Sequence, residues 1–497
     1  MRKSIIKVIS FFIVAILIFS GFNILLKQKR NAEVAVDNYH DEHMGIYQLD
    51  KGTLDVLYLG SSHAFSSISP EDIYKKYGIT GYVQGSSCQK LWQSYYYLEE
   101  ALYTQHPQVV VLDTFMALDG GAQSEAFNRE AIDKLRMSPA KIKSAWTAFQ
   151  MNPDGEDFIS YIFPAFRYHD RWKELSRQDY EYMFLPSNAP AKGFLARFGS
   201  VSCEFNSSDY ESKNPEVQPL NSLCEKNLNR IKNLCDANGI DLVLVKYPTC
   251  LWNIYNSLTL QSWADNNNVT FLDFNADEVL RNELNIDWNT ESLDGGNHLN
   301  YDGAMKVSDW IGKYLADNYH FSDKRNDPQY NIWETDYNYY KKCVSNHQIS
   351  SIVEFEEYLN TLDAGGYIVI LTIDCINMSS WPDTYNRLLL SGVPENVLSS
   401  PLMNANICIF NTESHEVIYE AVDNKTFYYN NNVEGFMLRI TCTLQDGMQT
   451  FSCICDRQET ARDQDGLQFI VLDPLTNTYI DTSVWLVSEV GDFSRFI

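Results

Sequence analysis

The sequence is poor in basic residues. Its 497 residues include 39 Lys and Arg against 65 Asp and Glu, which gives a formal net charge of -26. Proteins that bind nucleic acid need a basic face that replaces the counterions of the phosphates. The charge balance therefore argues against nucleic acid as a partner, and it makes a neutral substrate more suitable than a polyanionic one.

Metal-binding motifs are also missing. The sequence has no CxxC pair and no Cys/His spacing typical of a zinc site, and we expect neither a metal nor another cofactor. The 11 cysteines are odd in number, so they cannot all pair within one chain. We interpret most of them as small buried apolar residues rather than as a disulfide framework.

Long apolar runs are confined to the N-terminal region. Val8 to Leu26 is a stretch of 19 residues without a charge, close to the roughly 20 that a membrane-spanning helix needs. The stretch is longer than the apolar part of a typical secretory signal, and no small-x-small cleavage pattern follows it. We predict a signal anchor in residues 1–30 that enters the membrane through residues 5–26, with a cleaved signal peptide as the alternative.

The sequence gives less direct information on which side of the membrane the chain lies. Basic residues flank both ends of the apolar stretch, so the usual charge bias does not decide the orientation. A single N-terminal anchor most often serves export. We therefore expect a single-pass protein of the cell membrane, with the bulk of the chain outside the cytoplasm.

Apolar strands alternate with helical segments from residue 55 to residue 320. Ser69 and Pro70 are typical of a helix start, and Gly78 is typical of a helix end. This rhythm predicts an α/β fold with a parallel sheet and helices on both faces. The expected strands are Asp55 to Leu59, Gly81 to Gln84, Val109 to Asp113, Asp241 to Lys246 and Val269 to Asp273.

The remaining segments differ in composition. Residues 31–54 are polar and acidic and are predicted to form a stalk, and the polar, tyrosine-rich residues 321–345 are predicted to form a linker. Residues 346–497 combine one helix with short β-like runs, which predicts a β-rich accessory domain without an evident catalytic constellation. The aromatic-rich middle, about 120–220, is interpreted as an insertion over the active face of the sheet.

Four chemically distinctive segments fall at the carboxyl ends of the predicted strands or in the last loop. Acyl transfer needs a nucleophile, a base, a group that orients the base, and donors for the oxyanion. Ser62 follows the first strand, Gly85 the second, and Thr114 the third, while His298 precedes the last helix. Because loops at this edge of a parallel sheet form the usual site, we expect these residues to meet there.

These segments resemble the motifs of the SGNH (GDSL-type) hydrolases, through Gly60-Ser61-Ser62, Gly85, and His298-Leu299-Asn300 with Gly303. The resemblance covers residues 55–320. It extends to the branch in which Gly-Asp-Ser reads Gly-Ser-Ser, which includes membrane-anchored proteins similar to bacterial D-alanyl-lipoteichoic acid and polysaccharide O-acetylation factors. It implies a flavodoxin-like three-layer sheet with Ser62 as nucleophile, His298 as general base, and Gly85 and the Ser62 N–H as the oxyanion hole.

The sequence departs from this family at two places. The family's acid stands three residues before the histidine, where this chain has Gly295, and the nearest acid is Asp294, four residues before. The loop carries one extra residue, or Asp287 is the helper, or the histidine works in a dyad. The family's asparagine after the third strand is replaced by Asp113-Thr114, and Thr114 is the better candidate donor because an aspartate would repel an oxyanion.

The resemblance implies a serine esterase or O-acyltransferase that acts on acyl esters of a cell-surface polysaccharide. The expected partners are the polysaccharide or its acyl donor and, for transfer, a membrane-bound acyltransferase that delivers the donor. The alternative is a catalytically inactive protein of the same fold that binds glycan or assembles a modification complex.

Overall fold

The structure, a computed structural model, describes most of the chain. The described residues are 2–27, 45–152, 155, 157–175, 179–180, 189–210, 217–374, 378–399, 406–422, 426–445, 448–462, 464, 466–487 and 493–496. They divide into two compact units, 1–338 and 339–497. The domain boundaries drawn from the sequence stay a prediction.

The first helix, α1 (Arg2–Leu26), contains the apolar stretch. Its segment Ile5–Leu26 is long and apolar enough to cross a membrane, and its most apolar part is not buried against the protein. At about 1.5 Å per residue, 22 residues reach across a hydrocarbon core about 30 Å thick. The expected apolar N-terminal helix is therefore present.

The first unit is built on a parallel sheet in the order β2-β1-β3-β4-β5. The strand order reverses direction between β1 and β3, which makes this the switch point where open parallel sheets bind their ligands. The predicted α/β class with a parallel sheet is confirmed. The strands are β1 (Val56–Gly60), β2 (Gly81–Gly85), β3 (Val109–Asp113), β4 (Asp241–Lys246) and β5 (Thr270–Asp273).

Helices cover both faces of this sheet. Leu57 and Leu59 of β1 enter one apolar cluster, whereas the alternating Val56 and Tyr58 enter another on the opposite face. This two-sided burial explains why the strands read as continuous apolar runs. In the described part of the first unit, the helices between α1 and the predicted linker are α2 (Ser62–Ser67), α3 (Pro70–Tyr77), α4 (Leu91–Ala101), α5 (Glu125–Ile132), α6 (Pro139–Met151), α7 (Phe158–Ile162), α8 (Ser222–Ala237), α9 (Ile254–Asn267), α10 (Glu278–Leu284) and α11 (Tyr301–Asn318).

Part of the aromatic-rich middle closes the free edge of β2. The backbone N–H of Val83 donates to Lys192 O at 2.9 Å, and Leu195 N–H donates to Phe65 O at 2.8 Å. The Lys192 ammonium is buried and forms ion pairs with Asp336 and with Glu71, the latter at 3.2 Å. Buried charges of this kind are costly unless they are paired, so these ion pairs fix the path of residues 189–195.

Antiparallel strands dominate the second unit. In its described part, one sheet has the order β15-β14-β13-β6-β7-β8 and the other the order β12-β11-β10-β9. Ile370 of the first sheet and Ile440 of the second share one apolar cluster, so the two sheets pack face to face. The strands are β6 (Ile368–Asp374), β7 (Asn406–Asn411), β8 (Val417–Ala421), β9 (Phe427–Val433), β10 (Phe436–Gln445), β11 (Met448–Cys455), β12 (Gln458–Glu459), β13 (Gly466–Asp473), β14 (Thr478–Val487) and β15 (Phe493–Phe496).

The predicted linker contains a helix. Helix α12 (Asn331–Ile349) covers most of its residues, and Trp333, Tyr340 and Val344 are buried at helical spacing. Polar and tyrosine-rich composition therefore hid a helix with a buried stripe. The later helices are α13 (Phe355–Gly365), α14 (Pro382–Leu390) and α15 (Glu395–Leu398).

The predicted stalk lies largely outside the described residues. Residues 31–44 lie outside the described residues, whereas residues 45–54 are described. In this second segment Ile46 and Leu54 are buried in the core of the first unit. The stalk prediction therefore does not hold for residues 45–54, because their apolar side chains join the core.

Substitution of Gly60 tests the close packing between β1 and β3. It has a φ of +153°, and a Cβ there would lie 2.3 Å from Asp113 Cβ. Gly239 also has a positive φ, +67°, but no atom lies within 4 Å of the position of its Cβ. We expect Gly60→Ala to lower the free energy of unfolding by about 3 kcal/mol, from strain and overpacking, and Gly239→Ala by about 1 kcal/mol. Urea unfolding followed by tryptophan fluorescence measures the difference, and equal losses would contradict the close approach at Gly60.

Candidate active site

The turn after β1 is fixed by a carboxylate from β3. Asp113 Oδ2 accepts hydrogen bonds from Ser61 N–H at 3.1 Å and from Ser61 Oγ at 2.6 Å. Ser61 Oγ in turn accepts from His63 N–H as the N-cap of α2. Ser62 is therefore the first residue of α2, and its position is set by the ends of two neighbouring strands.

The structure brings Ser62, His298 and Asp294 together in one hydrogen-bonded series. Ser62 Oγ lies 2.7 Å from His298 Nε2. On the other side of the ring, His298 Nδ1 lies 2.7 Å from Asp294 Oδ2. The three side chains have the geometry of a nucleophile, a base within hydrogen-bond reach, and a carboxylate that orients the base.

Two glycines explain how an acid four residues before the histidine can reach its ring. Gly295 and Gly296 have φ values of +74° and +90°, a left-handed region that favours glycine. The turn that they form lets Asp294 Oδ1 accept from the His298 backbone N–H at 2.7 Å while Oδ2 meets the ring. Of the alternatives left open by the sequence, the loop with one extra residue matches this geometry.

Asp287, the other candidate acid, faces its own turn. One of its carboxylate oxygens accepts from Asn289 N–H at 3.0 Å, and the other accepts from Thr290 Oγ1 at 3.0 Å. The bond from the Asn289 backbone is the main reason that the pKa of Asp287 is below its usual value. The carboxylate that orients His298 is therefore that of Asp294.

The protonation state of the pair suits a base. Burial lowers the pKa of His298 and outweighs the opposing effect of Asp294, so the pKa lies below the usual 6.5. For Asp294, burial acts to raise the pKa, but the hydrogen bonds from His298 outweigh it and the pKa lies below its usual value. At neutral pH the imidazole is therefore uncharged and the carboxylate is ionised, as proton abstraction from a serine requires.

Gly85 lies beside the nucleophile turn. A Cβ at this position would lie 3.1 Å from Gly60 O and 3.4 Å from Ser61 O. The absence of a side chain thus allows β2 to approach the backbone that leads into Ser62. Its part in an oxyanion hole stays a prediction.

Thr114 does not have the position expected of an oxyanion donor. It is fully buried, and both its hydroxyl and its N–H donate to Val245 O of β4, at 3.0 and 2.9 Å. Its donors are therefore used within the sheet, and Thr114 is not placed to serve an oxyanion hole. Asp113, which the sequence suggested would only repel an oxyanion, instead holds the turn that positions Ser62.

A buried lysine lies near the site. Lys246 is fully buried at the end of β4, and its Nζ donates to Tyr247 O at 2.6 Å. The ammonium also lies over the rings of Phe115 and Trp252, at 5.1 and 5.3 Å. Burial lowers its pKa to about 8, against the opposing charges of Asp113 and Asp273. The only sequence signal for Lys246 is its place at the end of an apolar strand.

His63 packs instead of acting as a second base. Its ring is buried and stacks on Phe115 at a centroid distance of 3.8 Å, and it lies 5.0 Å from the His298 ring. Burial holds the pKa of His63 well below its usual value. The side chain therefore forms a neutral wall beside His298.

Residues 197–203 hold the loop that carries the acid and the base. Val201 N–H donates to Ser292 O at 2.9 Å, and Gly295 N–H donates to Val201 O at 3.3 Å. Tyr301 N–H donates to Arg197 O at 2.6 Å. The Arg197 charge is also close enough to lower the pKa values of both Asp294 and His298. From the sequence, this segment is only part of the aromatic-rich insertion expected over the active face.

No group of three or more His, Cys, Asp or Glu side chains in the described part of the chain is arranged to hold a metal ion.

Comparisons with known proteins give little. No family model matches the chain, and no curated protein does. A solved structure from Bacteroides fragilis, described as a "putative acylhydrolase", is similar at 13% identity over 55% of this chain and 92% of its own length, with a TM-score of 0.27. A likeness at this level does not decide the fold or the function.

The titration of His298 tests the geometry without any assumption about activity. We expect its midpoint below pH 6.5 and a further decrease in Asp294→Asn, because the carboxylate is the main group that raises this pKa. Asp287→Asn is the matched control and leaves the midpoint unchanged. Histidine NMR signals in detergent, assigned with His298→Gln, measure these values. A midpoint that responds to Asp287 and not to Asp294 would contradict the described pairing.

Proposed function

We propose that this protein is an SGNH-type serine esterase or O-acyltransferase that acts outside the cytoplasm on acyl esters of cell-surface polysaccharide. The single observation that carries the proposal is the contact of 2.7 Å between Ser62 Oγ and His298 Nε2, completed by Asp294. The flavodoxin-like strand order, with Ser62 at the switch point, supports the family assignment.

The reaction follows from the positions of the three side chains. Ser62 Oγ attacks the acyl carbon while His298 Nε2 takes its proton. Asp294 stabilises the imidazolium that forms and keeps the ring oriented. The imidazolium then donates its proton to the departing oxygen, which leaves an acyl group on Ser62. The N–H groups of Ser62 and Gly85 are the proposed donors to the oxyanion.

The acyl group then passes to water or to a sugar hydroxyl. His298 removes the proton from either acceptor, so the same side chains serve hydrolysis and transfer, and the choice depends on how well the site excludes water. Transfer needs an acyl donor on the same side of the membrane as the site. We therefore propose a membrane-bound acyltransferase as a partner for that reaction.

The location and the substrate class have separate support. The apolar segment Ile5–Leu26 is suited to anchor the chain in a membrane, which would keep the site close to the cell surface. The net charge of -26 favours neutral sugar esters over polyanionic substrates.

A fluorophosphonate probe tests the nucleophile directly, because it phosphonylates an activated serine. We expect one adduct on Ser62 in the intact chain, and a loss of labelling by at least 100-fold in Ser62→Ala and in His298→Ala. Ser66→Ala is the matched control, since this buried hydroxyl in the same helix has no hydrogen-bond partner. Mass spectrometry of the labelled peptide identifies the site.

Absence of labelling on Ser62, under conditions in which a known serine esterase reacts, would contradict the enzyme proposal. It would favour a protein that uses the same fold to bind glycan or to assemble a modification complex.

A further inference from the structure

Two cysteines from distant parts of the first unit meet beside the loop that carries Asp294 and His298. Cys203 Sγ and Cys250 Sγ lie 3.0 Å apart, although 47 residues separate them in sequence. Both side chains are partly buried. By contrast, Cys224 and Cys235 are buried in the apolar core of the sheet and serve as small core residues.

The two sulfurs enclose Gly296. A Cβ at this position would lie 2.6 Å from each of the two Sγ atoms. With its φ of +90°, Gly296 therefore has no room for a side chain and has a conformation that favours glycine. The two cysteines therefore pack against the turn that lets the Asp294 carboxylate reach the His298 ring.

Backbone hydrogen bonds bring the two cysteine segments to the same loop. Cys250 N–H donates to Gly296 O at 2.7 Å, and Cys203 N–H donates to Trp288 O at 3.1 Å. Thr249 Oγ1 adds a bond to Gly296 O at 2.8 Å. Backbone hydrogen bonds of both cysteines thus hold the two sulfurs close together.

We propose that Cys203 and Cys250 are a redox-modifiable pair that forms a disulfide across the catalytic loop. The oxidant is an external disulfide, such as that of a thiol–disulfide oxidoreductase or of oxidised glutathione. The thiolate of one cysteine attacks a donor sulfur and releases one donor thiol. The other cysteine then attacks the mixed disulfide, releases the second donor thiol and closes the bond. Two protein thiols are oxidised, and one donor disulfide is reduced to two thiols.

The bond would join residues 197–203 to the loop after β4, and both segments contact the turn of Gly296. It restricts the unfolded chain over a separation of 47 residues, so it stabilises the first unit. It would also hold the hydrogen-bonding frame of Asp294 and His298 in place. The disulfide would lie beside the site of the proposed function, but mass spectrometry detects it without an assay of activity.

Mass spectrometry of the intact chain tests the pair. The chain is incubated in detergent with excess oxidised glutathione, denatured, alkylated and digested without reductant. We expect a peptide that links Cys203 to Cys250 and that disappears after dithiothreitol. Both thiols recovered in alkylated form, or both capped with glutathione, would overturn the proposal. Because the wild-type chain is used, the test does not depend on the folding of a variant.

Thermal unfolding gives a second readout. We expect dithiothreitol to lower the Tm of the oxidised chain by roughly 5 °C or more, and to have no effect on the double variant Cys203→Ser/Cys250→Ser. Cys88→Ser, which removes another partly buried thiol, retains the full decrease. A decrease that persists in the double variant would overturn the assignment. Fluorophosphonate labelling that fails in a chain with the linked peptide would count against the proposed function alone.

Discussion

The interaction on which the site depends is the contact between the ends of β1 and β3. Gly60 has no side chain, so the Asp113 side chain can lie against the β1 backbone and accept two hydrogen bonds from Ser61. This buried carboxylate turns the chain directly from β1 into α2. The direction of Ser62 is therefore determined by a residue more than 50 positions away, within a core that packs on both faces of the sheet.

The second constraint lies in the loop before α11. Two left-handed glycines let Asp294 bond both the backbone and the ring of His298. The loop has little regular structure of its own, and residues 197–203 support it from outside. A site assembled from separate segments of one unit depends on such support, because small displacements of a base weaken proton transfer steeply.

Much of the first unit could be predicted from the sequence because its signals are local. Ser69, Pro70 and Gly78 bound α3 as expected, with the Ser69 side chain as the cap and Gly78 in the left-handed region. The buried strands were visible as apolar runs, and the segments that carry Ser62 and His298 followed from their places after strands or before helices. The order of strands in the sheet, in contrast, followed only from analogy with a family.

The sequence did not determine features that depend on loop conformation or on contacts between distant segments. Whether Asp294 reaches His298 depends on the backbone conformation of Gly295 and Gly296, and no spacing rule determines that. Thr114 donates to β4, a contact that becomes visible only when β3 and β4 are paired. Helix α12 was missed because its buried residues are spread among polar and tyrosine side chains. The burial of Lys246 also depends on a distant segment, since its ammonium lies over the ring of Phe115.

The most direct test of the account is the capture of an acyl group on Ser62. The intact chain is mixed with an aryl acetate, quenched in acid during the first turnovers and digested for mass spectrometry. The account predicts one acetyl group on Ser62, formed before steady turnover and absent in His298→Ala. Hydrolysis of the ester at an unchanged rate in Ser62→Ala, with no acetyl group on Ser62 in the wild-type chain, would contradict it.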